Sequence, residues 1–383
     1  MRSELSEYLT FDDKTLKSLW ARKRVPISDV YEAYIEGRID IPPESWRELF
    51  KKRHDLLSFR LTGSHVRFGL TRYFPNVLIH SRRQDKEIVS DHYDRGNDFF
   101  EWFLGPAMVY TAGYFPLGGE SLEVGQEKKI DHVGRKLRLS PEDRVLDIGC
   151  GWGTMVARFA AEFGARTQGV TLAQEQVEFA SERIRASGVE ERARVRVCDY
   201  RDVEGTFSKI VSLEMVEHVG VKNLPVYFQK VHSLLEDQGL FLLSWTGIRN
   251  LEAPHSPLTP FKMEGEDLNW ALFMNRHIFE GADASIRLST MLKFAEDAGF
   301  EVADVENVSS HYVITLDLWF ENWMRNRAEV VAAYGERWFR LWAFFLYWSA
   351  RIGEQGSAFN YQVLLHKSSN HFDRKKLSTS SYR

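Results

Sequence analysis

The segment Val145-Leu-Asp-Ile-Gly-Cys-Gly-Trp-Gly153 decides which fold the sequence predicts. Residues 144–148 are typical of a short buried strand, and residues 154–163 are typical of an amphipathic helix. Between them, the glycines at positions 149, 151 and 153 allow positive φ and a close approach of a ligand to the backbone. Ligands of α/β sheets bind at the carboxyl ends of the strands. The segment therefore predicts a ligand-binding turn over residues 149–153.

The spacing of these glycines indicates what kind of ligand the turn holds. Dinucleotide-binding loops have the spacing G-x-G-x-x-G, whereas G-x-G-x-G fits a shorter ligand without a pyrophosphate. Asp147, at the end of the strand, can hold the ammonium group of a methionine moiety. The spacing is similar to motif I of the class I methyltransferases. This resemblance implies S-adenosylmethionine as the cofactor.

Outward from this turn, predicted strands alternate with predicted helices. Strands are predicted at residues 167–172, 193–198, 209–213, 240–245 and 361–366, and helices at 174–187 and 289–298. This alternation predicts a doubly wound α/β sheet. In such sheets an acid at the end of the second strand usually holds the ribose hydroxyls. No acid ends this strand here, so we expect Thr171 and Gln176 to supply these hydrogen bonds. After the third strand, Asp199 is placed to accept from the adenine amino group, and Tyr200 to pack on the ring.

The composition excludes several other classes of protein. The chain has 383 residues, 44% of them hydrophobic, and its net charge of −4 is too small for a general nucleic-acid binder. Cys150 and Cys198 lack the spacing of a disulfide framework or a zinc site, and no metal site is predicted. No apolar run approaches the roughly 20 residues needed to cross a bilayer. We expect a cytoplasmic protein that contacts a membrane surface transiently, and no oligomeric state is predicted.

The two ends of the chain differ in composition. Residues 1–85 predict a helical region that could dock on a membrane, since residues 47–83 are locally basic and Lys and Arg near anionic lipid contribute about 1 kcal/mol each. Six of the 11 Trp and 11 of the 26 Phe lie in the C-terminal third, which predicts either an aromatic core or an apolar tunnel or membrane-facing surface. Residues 86–370 are predicted as a methyltransferase domain with lipid-pocket insertions at about 250–285 and 312–352, and residues 371–383 as a disordered tail.

Several motifs together resemble the cyclopropane-fatty-acyl-phospholipid synthases and mycolic acid cyclopropane synthases. Besides the glycine turn, they are His92-Tyr-Asp-Arg-Gly-Asn-Asp98, Met108-Val-Tyr-Thr-Ala-Gly-Tyr-Phe115, Gly169-Val-Thr-Leu172, Asp199-Tyr-Arg-Asp202 and Glu214-Met-Val-Glu-His-Val-Gly220. Within this superfamily the sequence is most similar to the sphingolipid C-9 methyltransferases. That likeness rests on segments such as Trp270-Ala-Leu-Phe-Met-Asn-Arg-His-Ile-Phe279 and Tyr334-Gly-Glu-Arg-Trp-Phe-Arg340.

The resemblance implies a fold, a reaction and a set of site residues. The fold is the class I, Rossmann-like methyltransferase fold, with a helical N-terminal region and an aromatic-rich C-terminal insertion. The reaction adds a methyl group to an alkene carbon of a long-chain lipid. The likeness to the sphingolipid C-9 methyltransferases implies that this carbon is carbon 9 of the sphingoid base of a ceramide or glucosylceramide. The implied cofactor contacts are Tyr110, Thr111, Asp147, Gly149, Gly151, Thr171, Leu172, Gln176, Asp199 and Tyr200.

Methylation of an alkene leaves a carbocation, so the site must stabilise a cation and remove a proton. Aromatic faces stabilise cations by roughly 0.5–2 kcal/mol each. We expect one or two of Tyr114, Tyr312, Trp319, Phe320 and Trp323 to do so, and the others to be packing residues. The predicted catalytic residues are Glu217, which takes or relays the proton, with His218 or His311 nearby and Tyr312 polarising the site.

Cyclopropane synthases use a bicarbonate ion as the base, held by a cysteine, a glutamate, a histidine and a tyrosine. In this sequence the cysteine position is Ala112 and the histidine position is Ser244, while Glu217 and Tyr312 remain. Bicarbonate is therefore doubtful as the base, which favours an enzyme that keeps its double bond.

Three other functions are compatible with the sequence. The first is a cyclopropane synthase or methyl-branching enzyme acting on phospholipid acyl chains. The second is a small-molecule N-methyltransferase on a related scaffold. The third is a lipid-binding protein with a relic cofactor loop, against which the full set of cofactor residues argues.

Overall fold

The computed structural model of the chain describes residues 4–21, 23–69, 71, 95–249, 265–279, 281 and 286–377. The N-terminal part contains short helices and four two-residue strands. The helices are Lys14–Trp20, Ile27–Ile35, Ser45–Lys51, Arg53–Leu56 and Gly63–Phe68. The strands are β1 (Thr10–Phe11), β2 (Val25–Pro26), β3 (Ile39–Asp40) and β4 (Leu57–Ser58), which pair β1 with β3 and β2 with β4.

The central sheet contains seven strands in the order β10-β11-β9-β8-β5-β6-β7. Their bounds are β5 (Arg144–Ile148), β6 (Arg166–Thr171), β7 (Ala193–Val197), β8 (Phe207–Leu213), β9 (Leu235–Ile248), β10 (Phe300–Asn307) and β11 (Ala358–Lys367). Strands β5 to β9 run parallel, and β11 pairs antiparallel with both β9 and β10. The order reverses at β5, so the crevice of the doubly wound sheet opens beside the glycine turn.

The helices of this part connect and cover the strands. Asn97–Leu104 and Leu122–Lys136 precede β5, Thr154–Glu162 and Gln174–Ala186 connect β5 to β6 and β6 to β7, and Leu224–Leu234 leads into β9. Gly265–His277 and Leu288–Asp297 follow β9, and Ser309–Arg325, Arg327–Tyr334 and Glu336–Glu354 lie between β10 and β11. In the part of the chain that is described, no helix combines the length and the apolar character needed to cross a membrane.

The structure confirms the predicted fold class and refines several elements. The predicted strand at 240–245 is the middle of the longer β9. Strand β10 was missed because it is half-exposed at the sheet edge and carries acids at positions 301, 304 and 306. The predicted insertion at about 312–352 belongs to three helices, which break at Asn326 and at Gly335, whose φ is 85°.

An aromatic core joins the N-terminal part to the C-terminal helices. Trp46, which is 1% exposed, lies 5.5 Å from Tyr34 and 5.1 Å from Tyr347, measured between ring centroids. Phe50 lies 5.8 Å from Phe344 in the same cluster. Since each buried aromatic ring removes a large apolar area from water, residues on both sides of the predicted boundary at residue 85 share one core. That boundary itself lies outside the described residues.

The predicted disordered tail is wrong for residues 371–377. The ring of Phe372 stacks on that of His366 at 3.7 Å, and Arg374–Leu377 forms a 3-10 helix. The Arg374 guanidinium also pairs with Glu301 on β10 at 2.5 Å. The polar composition hid these contacts because they depend on the neighbouring edge of the sheet. Residues 378–383 lie outside the described residues.

Candidate active site

The glycine turn after β5 has the backbone geometry that the sequence predicts. Gly149, Gly151 and Gly153 have φ of 83°, 51° and 72°. A Cβ at Gly149 would lie 2.7 Å from Met215, and one at Gly153 would lie 2.5 Å from Ala180. A Cβ at Gly151 would meet no atom within 4 Å, because Gly151 faces an open cleft. Two of the glycines therefore pack against the protein, and the third leaves room for a ligand.

This cofactor cleft encloses about 580 Å³ of empty space, counting the part open to solvent. Six of the ten predicted cofactor residues line it: Tyr110, Thr111, Asp147, Gly149, Gly151 and Gln176. The other four, Thr171, Leu172, Asp199 and Tyr200, do not belong to the described lining of the cleft. Thr171 donates from its hydroxyl to Gln176 Oε1 at 2.7 Å and so fixes that side chain. Leu172 follows Thr171 directly at the end of β6.

The predicted adenine pair, Asp199 and Tyr200, makes contacts within the protein. Asp199 accepts from the backbone N–H of Arg201 at 2.9 Å and from its guanidinium at 2.8 and 2.6 Å, and caps the 3-10 helix Tyr200–Asp202. The Tyr200 ring packs against Tyr227 at 5.3 Å, with the Arg201 guanidinium over its face. A contact with adenine stays a prediction for both residues.

A buried lysine that the sequence analysis missed lies in the cleft wall. Lys129 is 2% exposed and donates to Thr111 Oγ1 at 2.9 Å. Burial lowers the pKa of Lys129 to about 8, although the carboxylates of Glu214 and Asp147 act to raise it. Burial also raises the pKa of Asp147 to about 7, although Lys129 opposes that shift. The signal in the sequence was a lysine on the buried face of Leu122–Lys136, three residues after Gln126 and four before Val133.

This pair of opposite charges suits the cofactor that the glycine turn implies. An acid favours the ammonium group of a bound amino acid, and a lysine favours its carboxylate. The open space over Gly151 and the buried Asp147 beside it leave room for such a moiety next to backbone. The residues present therefore fit S-adenosylmethionine, with Asp147, Gly149 and Gly151 at its methionine part and Gln176 at its ribose.

A second, largely apolar cavity adjoins this cleft and encloses about 1170 Å³, again counting the part open to solvent. Its apolar wall comes from β9, β11, Gly265–His277 with the residues that follow it, Ser309–Arg325 and Glu336–Glu354. The wall includes Ile248, Trp270, Ala271, Met274, Phe279, Val313, Leu316, Phe345 and Phe359. Tyr110 and Glu214 line both spaces. A group in the cofactor cleft can therefore face an apolar ligand across these two side chains.

Three of the four predicted catalytic residues, Glu217, His218 and Tyr312, line this apolar cavity, hereafter the lipid cavity. Glu217 is 8% exposed and accepts from the Thr246 backbone N–H at 2.5 Å. Burial, with the neighbouring Glu214, raises the pKa of Glu217 to about 8. His311 does not belong to the lining. It accepts from the Phe115 N–H at 3.1 Å, and its ring lies 4.6 Å from that of Tyr114.

Of the five aromatic residues considered for cation stabilisation, Tyr312 alone belongs to the described lining of the cavity. Trp319 and Trp323 are fully buried in the aromatic core, and Phe320 packs on Tyr347 at 4.8 Å. The Tyr114 ring stacks on that of His132 at 4.2 Å. The cavity instead takes its aromatic faces from Tyr110, Trp270, Phe279, Phe345 and Phe359, which sequence patterning did not distinguish from core residues.

Glu214 is the second site residue that the sequence analysis missed, although it opens the motif that contains Glu217. It follows β8 directly, as Asp147 ends β5, and this position at a strand end was the available signal. Its φ of 51° is uncommon for a residue with a side chain. The carboxylate accepts from the Ala112 N–H at 3.0 Å and from Asn360 Nδ2 at 2.9 Å. Burial raises the pKa of Glu214, and these donors oppose the rise.

Comparison with known proteins agrees with this geometry. The chain matches the mycolic acid cyclopropane synthetase family over residues 80–363. It is 41% identical to sphingolipid C9-methyltransferase 2 of Gibberella zeae, over 96% of this chain and 69% of that protein. It is 40% identical to the sphingolipid C9-methyltransferase of Komagataella phaffii, over 97% of this chain and 76% of that protein.

A solved structure extends the comparison to the fold and the cofactor. Mycolic acid cyclopropane synthase CmaA1, crystallised with SAH and CTAB, superposes with a TM-score of 0.70 at 26% identity, over 76% of this chain and all of that one. SAH is what remains of S-adenosylmethionine after methyl transfer. The chain belongs to the mycolic acid cyclopropane synthetase family and is an S-adenosylmethionine-dependent methyltransferase.

Proposed function

We propose that the protein methylates an alkene carbon in the long chain of a lipid, and that its acceptor is carbon 9 of the sphingoid base of a ceramide or glucosylceramide. One observation carries the lipid part of this proposal: the apolar cavity shares Tyr110 and Glu214 with the cofactor cleft. An alkyl chain in the cavity can therefore present an alkene to the cofactor. The choice of a sphingoid base rests on the two relatives that are about 40% identical and carry that name.

S-adenosylmethionine, when bound, supplies a methyl group on a positively charged sulfur. The chain's own residues do the rest. The apolar wall excludes water from the cation that forms on the lipid, and holds the alkene against the cleft. The faces of Tyr110, Phe279 and Tyr312 are available to stabilise that cation, each by roughly 0.5–2 kcal/mol. The proton is taken up by the buried carboxylate pair, Glu214 and Glu217, with Tyr312 polarising the pair and His218 beside it.

The predicted cofactor contacts outside the cleft lining stay part of the proposal. Thr171 positions Gln176, which holds the ribose, and Leu172 closes the same edge. Tyr200 and Asp199 bind the adenine, for which Asp199 must share its carboxylate with Arg201. We assign His311 a positioning role, because its ring nitrogen holds the backbone of Phe115 next to the motif that carries Tyr110.

We also propose that the protein works in the cytoplasm and touches a membrane surface transiently to reach its lipid. Of the basic residues between 47 and 83, Arg53 points inward, where it pairs with Glu266 at 2.8 Å. Arg47, Lys51, Arg60 and Arg67 are exposed and available for such contact, and Arg72, Arg82 and Arg83 lie outside the described residues. Flotation with anionic vesicles tests this, and equal binding to neutral vesicles would contradict it.

Lipid analysis of expressing cells tests the acceptor. The host makes glucosylceramide with an 8-unsaturated base and phospholipids with unsaturated acyl chains, and Asp147→Asn serves as the inactive control. We expect a one-methylene mass gain on the sphingoid base with the native chain alone. The same gain on glycerophospholipid acyl chains would replace the proposal with a cyclopropane synthase or methyl-branching enzyme. Methylation of a soluble amine without any lipid product would replace it with an N-methyltransferase.

A further inference from the structure

We propose that Glu214 is a catalytic residue: its carboxylate takes the proton that alkene methylation releases, so that the chain supplies its own base and needs no bicarbonate. This inference deepens the proposed function, since it rests on methylation of an alkene, but it does not depend on which lipid carries the alkene. Glu217, the residue that the sequence indicated, then serves as the protonated partner of Glu214.

The position of Glu214 supports a direct role. Glu214 lines both the cofactor cleft and the lipid cavity. Among the described residues, Tyr110 also lines both. Glu217 lines the lipid cavity but does not belong to the described lining of the cofactor cleft. Because methyl transfer takes place where the two spaces meet, the group at that boundary lies nearest to the carbon that must lose its hydrogen. The φ of 51° at Glu214 is the conformation that holds the side chain there.

The hydrogen bonds around Glu214 involve both positions at which this sequence departs from the cyclopropane synthase pattern. The backbone N–H of Ala112, at the cysteine position, donates to the Glu214 carboxylate at 3.0 Å. Ser244, at the histidine position, donates to Asn360 Oδ1 at 3.0 Å, and the amide nitrogen of Asn360 donates to Glu214 at 2.9 Å. Tyr312 also hydrogen-bonds the carboxylate. Three of the four positions expected around a bicarbonate ion thus contact a carboxylate of the chain: Ala112 and Tyr312 directly, and Ser244 through Asn360.

The same contacts decide which carboxylate of the pair is ionised. Two buried acids that repel each other do not both ionise readily. Glu214 has three donors and the nearby Lys129, all of which favour its ionised form. Glu217 accepts one hydrogen bond, from the Thr246 N–H to its Oε1. Its Oε2 has no hydrogen-bond partner among the described residues. The proton of the pair therefore lies preferentially on Glu217, whose pKa burial raises to about 8, and Glu214 is left to serve as the base.

The reaction then balances without an added ion. The π electron pair of the alkene forms the new C–C bond to the methyl group, while the S–CH3 bond breaks and leaves its pair on sulfur. The neighbouring alkene carbon becomes cationic. The carbon that received the methyl group loses its hydrogen as a proton to the Glu214 carboxylate, and the C–H electron pair restores the double bond. The proton then leaves to solvent, directly or through Glu217.

Glu214→Gly and Glu214→Gln test the inference. Glycine adopts positive φ without strain, and it vacates the volume of the side chain, whereas glutamine keeps the shape and removes the base. The native chain and both variants are assayed in CO2-free buffer with methyl-labelled S-adenosylmethionine and a lipid extract that contains glucosylceramide and unsaturated phospholipids. Bicarbonate, formate or acetate is then added. Calorimetry with S-adenosylmethionine and thermal melting check cofactor binding and folding.

We expect native activity to be unchanged by removal of CO2, and both variants to be slower by about 100-fold or more, as for loss of a general base. Both should keep their affinity for S-adenosylmethionine. Added formate or bicarbonate should accelerate Glu214→Gly at least tenfold and leave Glu214→Gln unchanged, because the glutamine side chain fills the space. Glu217→Gln should lose less activity than Glu214→Gln and gain nothing from these anions.

Three results would overturn the inference: a native enzyme that needs bicarbonate, a Glu214 variant within threefold of the native rate, or a slow Glu214→Gly that no small carboxylate accelerates. Loss of cofactor binding in both variants would likewise assign Glu214 to holding the cofactor. If the native chain labels a phospholipid and no sphingolipid, the proposed acceptor fails. The comparison of the variants still decides the role of Glu214 on that lipid.

Discussion

The cofactor cleft and the lipid cavity share two residues, yet the chain builds them in different ways. The cleft is built around the turn after β5, with short contributions from residues 108–111, Lys129, the end of β8 at Leu213 and Glu214, and the start of Gln174–Ala186. The lipid cavity is assembled from β9, β11 and three helices, and its lining residues, apart from Tyr110, extend from position 214 to position 360. The first is a local structure, and the second exists only when distant segments pack. Changes in one should therefore act differently from changes in the other.

The largest effect is expected from Trp46→Ala, in the aromatic core that joins the N-terminal part to the C-terminal helices. Trp46 is fully buried against Tyr34, Phe50, Phe344 and Tyr347. Removing such a side chain costs about 3–5 kcal/mol of unfolding free energy, measured by urea denaturation. The folded fraction should bind S-adenosylmethionine as tightly as the native protein, because the cleft is built elsewhere.

Leu19→Ala is the control for this change, since Leu19 is 54% exposed. It should shift the unfolding free energy by no more than about 0.5 kcal/mol. If Trp46→Ala instead produced a separate early transition and left the main one unchanged, residues 1–85 would fold as a unit of their own. The predicted boundary at residue 85 would then also be an energetic boundary.

The next effect concerns the cleft alone. In Gly151→Asn, asparagine tolerates the left-handed backbone, while its side chain enters the space that the cofactor needs. We expect calorimetry to show S-adenosylmethionine binding weakened by about 100-fold, or roughly 2.7 kcal/mol, with little change in melting temperature. Gly188→Asn is a matched control, because Gly188 has φ 64° and open space around it but lies outside the cleft lining. Equal loss of binding in both variants would mean that backbone strain, and not occupation of the cleft, causes the effect.

This contrast explains which features the sequence could predict. The turn at Gly149–Gly153, the strand ends at Asp147 and Thr171, and the side chain of Gln176 lie within about thirty residues, where spacing alone determines geometry. All the strands of the central sheet except β10 were predicted. Lys129 and Glu214 were missed because their roles depend on what packs over them.

The lipid cavity was predictable as a property and not as a set of residues. The aromatic content of the C-terminal third indicated an apolar space, but periodicity cannot separate Phe279, which lines the cavity, from Trp323, which fills the core. His311 was placed at the site because it precedes Tyr312, yet adjacent residues of a helix point about 100° apart. Tyr312 therefore faces the cavity, and His311 faces Tyr114.

The smallest predicted effect is a pH dependence that belongs to the cleft. Burial raises the pKa of Asp147 to about 7, so at pH 6 this carboxyl is mostly protonated in the free protein. The ammonium group of the cofactor favours the ionised carboxylate, so binding below pH 7 must release a proton. The affinity for S-adenosylmethionine should therefore rise with pH, by roughly eightfold between pH 6 and pH 7.5 for one group of this pKa. The rise should stop near pH 8, because Lys129, whose pKa burial lowers to about 8, then loses the charge that favours the carboxylate of the cofactor.

The same shift has the opposite sign for stability, because Asp147 binds its proton more tightly in the folded protein than in the unfolded chain. Its titration therefore lowers the unfolding free energy of the free protein as the pH rises from about 4 to about 7. Asp147→Asn should bind weakly with no such dependence on pH. Lys129→Met removes the cation that opposes the shift, so the rise in affinity should move to higher pH in that variant. A native affinity that stays constant from pH 6 to pH 7.5, measured by calorimetry in buffers of matched ionic strength, would mean that Lys129 already keeps Asp147 ionised. The cleft would then meet its cofactor as a preformed ion pair.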